Sequence, residues 1–352
     1  MKTILLSSAI SMIVALIGTW PTIKILRRRK LGQQVRTGER APAHQSKSGT
    51  PTMGGNVIII ASLTGYTLGH LLTGDPMTAS GVLVLSLMTG LGFVGFLDDF
   101  LKLFMHRSLG LRSRAKLLGQ VIVGVIFAVL AIHFPDPHGL TPASEHLSFT
   151  ADFGVSIGLV LFVVWVLIMV SATSNGVNLT DGLDGLATGA SILVLAAYVL
   201  IGNWQLRNDC TINLTQNCYN VRDPLDAAVV AAVVMGACFG FLWWNAPPAK
   251  IFMGDTGALA LGGTLAGLAI VTRTELLLLI LAGLFAIETL SVVIQVTSYK
   301  TLRKRVFKMT PLHHHFELAG WAESTIVVRF WLIAGMFVAL GLGIFYVGWF
   351  PS

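Results

Sequence analysis

Apolar residues fall in blocks long enough to cross a lipid bilayer, with short polar gaps between them. The blocks lie at about 4–25, 54–73, 78–97, 117–134, 154–173, 185–202, 226–244, 256–272, 275–297 and 325–348. A helix needs about 20 apolar residues to span the hydrocarbon, whereas a barrel strand needs only about ten. The pattern therefore predicts an all-α, polytopic integral membrane protein of about ten transmembrane helices, forming a single transmembrane domain over residues 1–352. Gly74-Asp75-Pro76-Met77 is a tight turn between the second and third blocks, and little more than Arg273-Thr274 parts the eighth from the ninth. Both pairs read as antiparallel hairpins.

Composition agrees. The chain is 54% hydrophobic and 12% charged, against about 25% charged for a soluble domain. The formal charge of +7 does not point to nucleic acid, because the basic residues gather beside apolar blocks, where they orient a membrane protein. If 26–53 faces the cytoplasm, so do 98–116, 174–184, 245–255 and 298–324. Of the 24 Lys and Arg residues, only Lys2, Arg207, Arg222 and Arg273 then fall on the other side. This split places both termini on the periplasmic or extracellular side. The first block reads as a retained helix rather than a signal peptide, since Lys2 is its only preceding cation and Arg27-Arg28-Arg29-Lys30 follow it. Cys238 sits in an apolar block. Cys210 and Cys218 share an external polar loop, and the sequence leaves open whether they pair.

The chemistry gathers in the gaps assigned to the cytoplasm. Asp98-Asp99 closes the third block, with Lys102 one helical turn beyond. Ser174–Gly189 holds Asn175, Asn178, Asp181 and Asp184 without a single cation. Carboxylates at a bilayer edge are costly unless something neutralises them, and a bound metal ion is a good candidate. Helix capping would explain one or two such residues, but not four so close together. Asn245-Ala-Pro-Pro-Ala-Lys250-Ile-Phe252-Met-Gly-Asp255 adds an acid and an aromatic placed to stack on a base. An N-cap role would account for Asp255 alone. Lys47-Ser-Gly-Thr-Pro-Thr52-Met-Gly-Gly supplies a cation, hydroxyls and flexible backbone suited to phosphate oxygens. His313-His314-His315 cannot share one helix face, which argues against a single zinc site and for a flexible loop presenting imidazoles to an anion or a reacting proton. Hard oxygen ligands, several lysines and a stacking aromatic on one face suggest a Mg²⁺-dependent enzyme acting on a phosphorylated, nucleotide-bearing substrate at the inner membrane surface.

At these residues the chain resembles the polyprenyl-phosphate N-acetylhexosamine-1-phosphate transferases, a superfamily grouped as glycosyltransferase family 4. Asp98-Asp99 and Asn178-Leu-Thr-Asp-Gly-Leu-Asp184 match motifs of the whole superfamily, and Pro311-Leu-His-His-His-Phe-Glu317 matches its muramoyl-pentapeptide branch. The resemblance implies transfer of phospho-MurNAc-pentapeptide from UDP-MurNAc-pentapeptide to undecaprenyl phosphate, giving lipid I and UMP, in the inner (plasma) membrane of a bacterium. It also implies a homodimer. By similarity Asp255 and Asp99 would bind Mg²⁺, and Asp98, Asp99, Asp255 and His314 would be catalytic. The substrates would meet Lys47, Thr52, Lys102, Lys116, Asn175, Asn178, Asp181, Asp184, Asn245, Phe252, His313 and His315, with Phe252 on the uracil. Direct attack by the lipid phosphate is favoured over a covalent intermediate, because a phosphate with a second pKa of about 6 needs little help to ionise at pH 7.

Two rivals remain at this stage. A sister transferase would use UDP-N-acetylglucosamine, against which the histidine run argues. A transporter would use intramembrane carboxylates to move ions, with Glu288 in the ninth block as a relay; the plainer reading of Glu288 is a polar contact between helices.

Overall fold

A computed structural model describes residues 1–29, 49–105, 110–210 and 218–348. In chain order the elements are α1 (Lys2–Arg28), α2 (Gly55–Thr73), α3 (Ala79–Phe104) and α4 (Ser113–Ala131). A hairpin of β1 (His146–Ser148) and β2 (Asp152–Ser156) follows, and then α5 (Gly158–Thr180), α6 (Leu186–Arg207), α7 (Pro224–Asn245) and α8 (Gly254–Val271). The chain closes with α9 (Leu278–Leu281), α10 (Gly283–Leu302), α11 (Leu312–Glu317) and α12 (Glu323–Val347). Among the described residues nine helices, α1 to α8 and α12, are long and apolar enough to cross a membrane.

The apolar patterning explains the layering. A helix that is hydrophobic around its whole circumference belongs inside a bundle, and α7 and α8 are such helices, with 78% and 89% of their spanning windows buried. Around them α3 and α5 flank α8, while α1, α2 and α6 flank α7. The outer helices turn Ile17, Leu118, Val160 and Met336 outward, as lipid contact requires. Lipid offers no hydrophobic drive to bring helices together, so close approach depends on small residues. On α8, a Cβ at Gly262 would come within 2.3 Å of Ser174 on α5. On α3, a Cβ at Gly95 would lie 2.2 Å from the Asp255 carbonyl oxygen. This second contact seats the start of α8 against the end of α3, and it builds the site described below.

At the end of the bundle away from that site, Asp226 on α7 accepts hydrogen bonds from Tyr66 of α2 and the Thr78 hydroxyl, both at 2.7 Å, and lies 2.9 Å from His70. The buried carboxylate is thereby satisfied and ties three segments together.

Several expectations need correction. The fold is mainly helical but carries the β1–β2 hairpin, whose five exposed residues 152–156 need no core. The ninth apolar block is divided into α9 and α10 at Ala282–Gly283, where the Phe337 ring of α12 packs so closely that a Cβ on Gly283 would meet it at 2.4 Å. Helices α3 and α5 run past their apolar blocks to Phe104 and Thr180, so Asp98, Asp99, Lys102, Asn175 and Asn178 are helical residues and not loop residues. Cys210 and Cys218 are joined by a disulfide.

Candidate active site

The polar end of α3 delivers three charged side chains to one place. Asp98 and Asp99 are 3% exposed, and Lys102, one turn later, reaches back to Asp98 Oδ2 at 2.5 Å. Residue Asp255, in the first turn of α8, meets this group from the other side. Oxygens of Asp98, Asp99 and Asp255 lie within 4.8 Å of one another, a separation at which three carboxylates can hold a metal ion. Two lysines answer them: Asp255 Oδ2 accepts from Lys102 Nζ at 2.8 Å and from Lys116 Nζ of α4 at 3.0 Å. Asn178 of α5, with its amide nitrogen toward Asp255, donates to Oδ1 at 2.8 Å and accepts from Lys116 at 3.2 Å.

The three carboxylates are not equivalent. Asp99 accepts from the backbone N–H of Asp255 at 3.2 Å, from the N–H of Thr256 at 3.0 Å and from the Thr256 hydroxyl at 2.7 Å. It thus caps the start of α8 with both oxygens, a place where negative charge is favoured by the helix dipole. Gly254, at φ 76°, completes this junction, since a Cβ there would press on Asp99 Oδ2 at 2.7 Å and on Thr52 Oγ1 at 2.9 Å. Asp98 spends one oxygen on the Leu111 N–H at 2.6 Å and turns the other to a lysine. The groups that hold Asp255 and the outer oxygen of Asp98 are side chains that can swing away, whereas those that hold Asp99 are chiefly backbone.

A cleft of about 500 Å³ opens over the group, its lining polar (Asp98, Lys102, Lys116, Asn175, Asn178 and Asp255 among it) apart from Leu111 and Leu117. That size is ordinary for a small-molecule site. Gln120 was not foreseen. It lies on α4 at 1% exposure, accepts from Asn175 Nδ2 at 3.3 Å and donates to Ser174 at 3.1 Å. Its only sequence signal was a lone amide within an apolar block.

The stretch after α5 supports the site more than it lines the cleft. Withdrawal from water, then the charges of Asp255 and Asp99, push the Asp181 carboxyl well above the usual range. Asp184 Oδ2 accepts from the Ala249 N–H at 2.9 Å, while its own N–H donates to Glu323 of α12 at 3.0 Å. Asn245 has its carbonyl bound by Thr188 at 2.9 Å and donates to the Ile251 carbonyl at 3.0 Å. Both residues are buried and pin the 246–253 loop. Thr52 and Phe252 come together because that loop pairs with 51–54: the Phe252 N–H donates to the Pro51 carbonyl at 2.8 Å, and the Gly54 N–H to the Phe252 carbonyl at 2.9 Å. Phe252 stays partly exposed. Lys47 lies outside the described residues.

The histidine run forms the helix α11, not a flexible loop; the His313 and His314 rings meet edge to face with centroids 4.2 Å apart, yet each of the three side chains finds a different polar neighbour. His313 is buried beside Glu288. His314 Nδ1 lies 2.5 Å from Glu317, and His315 accepts from the Lys308 N–H at 3.1 Å. Glu288 therefore faces α11 and is not part of a line of carboxylates across the bundle.

The donor set suits Mg²⁺. Three carboxylates face two lysines, the nearby Asp181 is poor in compensating charge, and all the ligand atoms are hard oxygens.

The sequence profile described as glycosyl transferase family 4 matches residues 81–273, a segment that contains both Asp98-Asp99 and Asp255. Proteins named phospho-N-acetylmuramoyl-pentapeptide-transferase are similar over nearly the whole chain. The one from Kineococcus radiotolerans is 61% identical over 361 residues, covering 99% of each chain. That from Streptomyces griseus subsp. griseus is 60% identical over 354 residues, again 99% of each. That from Thermobifida fusca is 58% identical over 351 residues and covers both chains completely.

Proposed function

The chain belongs to glycosyl transferase family 4 and, within it, to the phospho-N-acetylmuramoyl-pentapeptide-transferases, and from that premise we propose how its residues divide the work. The reaction takes phospho-MurNAc-pentapeptide from UDP-MurNAc-pentapeptide to undecaprenyl phosphate and leaves UMP. An oxygen of the lipid phosphate bonds to the β-phosphorus of the donor as the bond from that phosphorus to the UMP oxygen breaks. Little covalent help is needed in such a transfer; alignment and charge neutralisation supply most of the catalysis.

The observation that carries this reading is the meeting of Asp98, Asp99 and Asp255 with Lys102 and Lys116 at the mouth of one cleft. Asp255 and Asp98 would hold Mg²⁺, because one oxygen of each is held by lysine side chains that can turn away, and Asp99 would fix the start of α8 beneath them. Bound there, Mg²⁺ would neutralise the diphosphate oxygens. Lys102 and Lys116, released from Asp255, would turn to the phosphates. The incoming lipid phosphate is largely a dianion at pH 7 and scarcely needs a base, so Asp98 would serve the site as a charged ligand and not as a proton acceptor. Asn175 and Asn178 would hold the donor across the cleft, Gln120 would orient Asn175, and Phe252 would stack on the uracil for about 1–3 kcal/mol. Asp184 and Asn245 support that loop from behind. His314, paired with Glu317, and His315 are the members of the histidine run that would be left to face the donor.

The same reading sets the protein in a bacterial plasma membrane as a homodimer, with the cleft on the cytoplasmic side and α10 as a tenth span. Purified protein supplied with undecaprenyl phosphate and either UDP-MurNAc-pentapeptide or UDP-N-acetylglucosamine tests the donor. Release of UMP with the pentapeptide donor is expected, and release only with UDP-N-acetylglucosamine would overturn the assignment.

A further inference from the structure

Glu288 takes no part in the transfer as set out above, yet it is fully buried on α10. A buried carboxylate is expensive unless other groups compensate it, so its surroundings call for an account. Its Oε2 accepts the backbone N–H of Leu312, the first residue of α11, at 2.7 Å. Its Oε1 lies 3.2 Å from His313 Nδ1, and both side chains are 0% exposed. The approach is close but is not an aligned hydrogen bond: Oε1 and both His313 ring nitrogens lack a bonded partner among the described residues. On its far side the His313 ring presses on Gly182, where a Cβ would lie 2.2 Å from Nε2. A continuous contact therefore runs from α10 through α11 to the stretch that holds Asp181 and Asp184.

We propose that Glu288 is a positioning residue for the sugar-nucleotide donor: its carboxylate places α11 through Leu312 and His313, and His313 places the 181–185 stretch that backs the cleft. A helix of six residues does not hold its own shape in isolation, so α11 depends on such anchors. In this account His313 reaches the donor only through Gly182, and His314 and His315 are the outward members of the run.

The inference rests on the donor assignment above, and its test keeps the two apart. Steady-state UMP release is measured for wild type, Glu288→Gln, His313→Asn, the double variant and Gly182→Ala, with melting temperatures taken on the same samples. Glu288→Gln keeps an acceptor for Leu312 but removes the charge facing His313. With His313 no longer held from α10, KM for UDP-MurNAc-pentapeptide should rise roughly tenfold, a loss of about 1.4 kcal/mol in donor binding. KM for undecaprenyl phosphate should stay within about twofold, since only groups behind the donor have moved. Gly182→Ala, which displaces the ring from the opposite side, should give the same split even if Glu288→Gln folds poorly. The double variant should be no worse than its worse parent in either KM or melting temperature, because both changes break one contact. A purely structural role would lower the active fraction and leave both KM values alone. That outcome, or additive losses in the double variant, would overturn the role of Glu288. Wild type that turned over only UDP-N-acetylglucosamine would overturn the donor assignment, and the melting temperatures would then decide on Glu288 by themselves.

Discussion

Asp98 and Asp99 are neighbours in sequence but differ in their work, and the difference lies in what holds their oxygens. Asp99 is bound by two backbone amides and a hydroxyl at the start of α8, while Asp98 keeps one oxygen for Lys102 and the cleft. Asp99→Ala would strand those donors. We expect it to lower stability by about 1–2 kcal/mol and to cut activity through misplacement of Asp255, as a melting curve and a turnover assay on one sample would show. Asp98→Asn should leave the melting temperature near that of wild type and lower kcat by about 100-fold or more. A third prediction concerns Gln120. Gln120→Met, similar in size, should raise KM for the nucleotide donor roughly fivefold by removing one of the two acceptors of the Asn175 amide, a hydrogen bond worth about 1 kcal/mol, and leaving it on the Ser171 carbonyl alone. The acids were legible in the sequence because charge is conspicuous at the edge of an apolar block. The division between Asp98 and Asp99 was not, because the Thr256 and Asp255 amides that bind Asp99 arrive from more than 150 positions away. Gln120 was hidden for the same reason, its partners being 54 and 55 residues further along.

At the scale of elements, the site is a junction of helix ends. The last turns of α3 and α5, the first turn of α4 and the first turn of α8 meet because glycine permits it, most sharply where Gly95 lies under the Asp255 carbonyl. Gly95→Val should therefore separate Asp255 from Asp98. Overpacking of this kind costs typically 1–3 kcal/mol, and activity should fall further than the melting temperature suggests. Equal activity per folded molecule would contradict the junction. The apolar blocks located the long helices among the described residues, since twenty apolar residues in lipid have few alternatives. They missed the extension of α3 and α5 into polar sequence, where tertiary hydrogen bonds hold the helix beyond the hydrocarbon. They also missed the break at Ala282–Gly283, because a packing contact with Phe337, and no local signal, interrupts an otherwise apolar run. The histidines read as a loop for a related reason: α11 is short, and its anchors on Glu288 and Gly182 are remote in sequence.

For the whole molecule, the unequal distribution of basic residues and the position of the cleft make one statement: the chemistry faces the side rich in lysine and arginine. Single cysteines introduced at Lys250, near the cleft, and at His138, at the opposite end, test it. Both positions are exposed. A membrane-impermeant maleimide should label His138→Cys on intact cells and Lys250→Cys only in inverted vesicles; the reverse pattern would turn the molecule over. The central claim is that three carboxylates on that face carry out Mg²⁺-dependent transfer to the lipid. Its most direct measurement is UMP release from UDP-MurNAc-pentapeptide and undecaprenyl phosphate across a Mg²⁺ titration, for wild type beside a folded Asp255→Asn variant. The account predicts turnover that rises with Mg²⁺ in the wild type and falls by about 100-fold or more in the variant at every concentration. Equal turnover in the two proteins, or wild-type turnover unaffected by chelation, would contradict it.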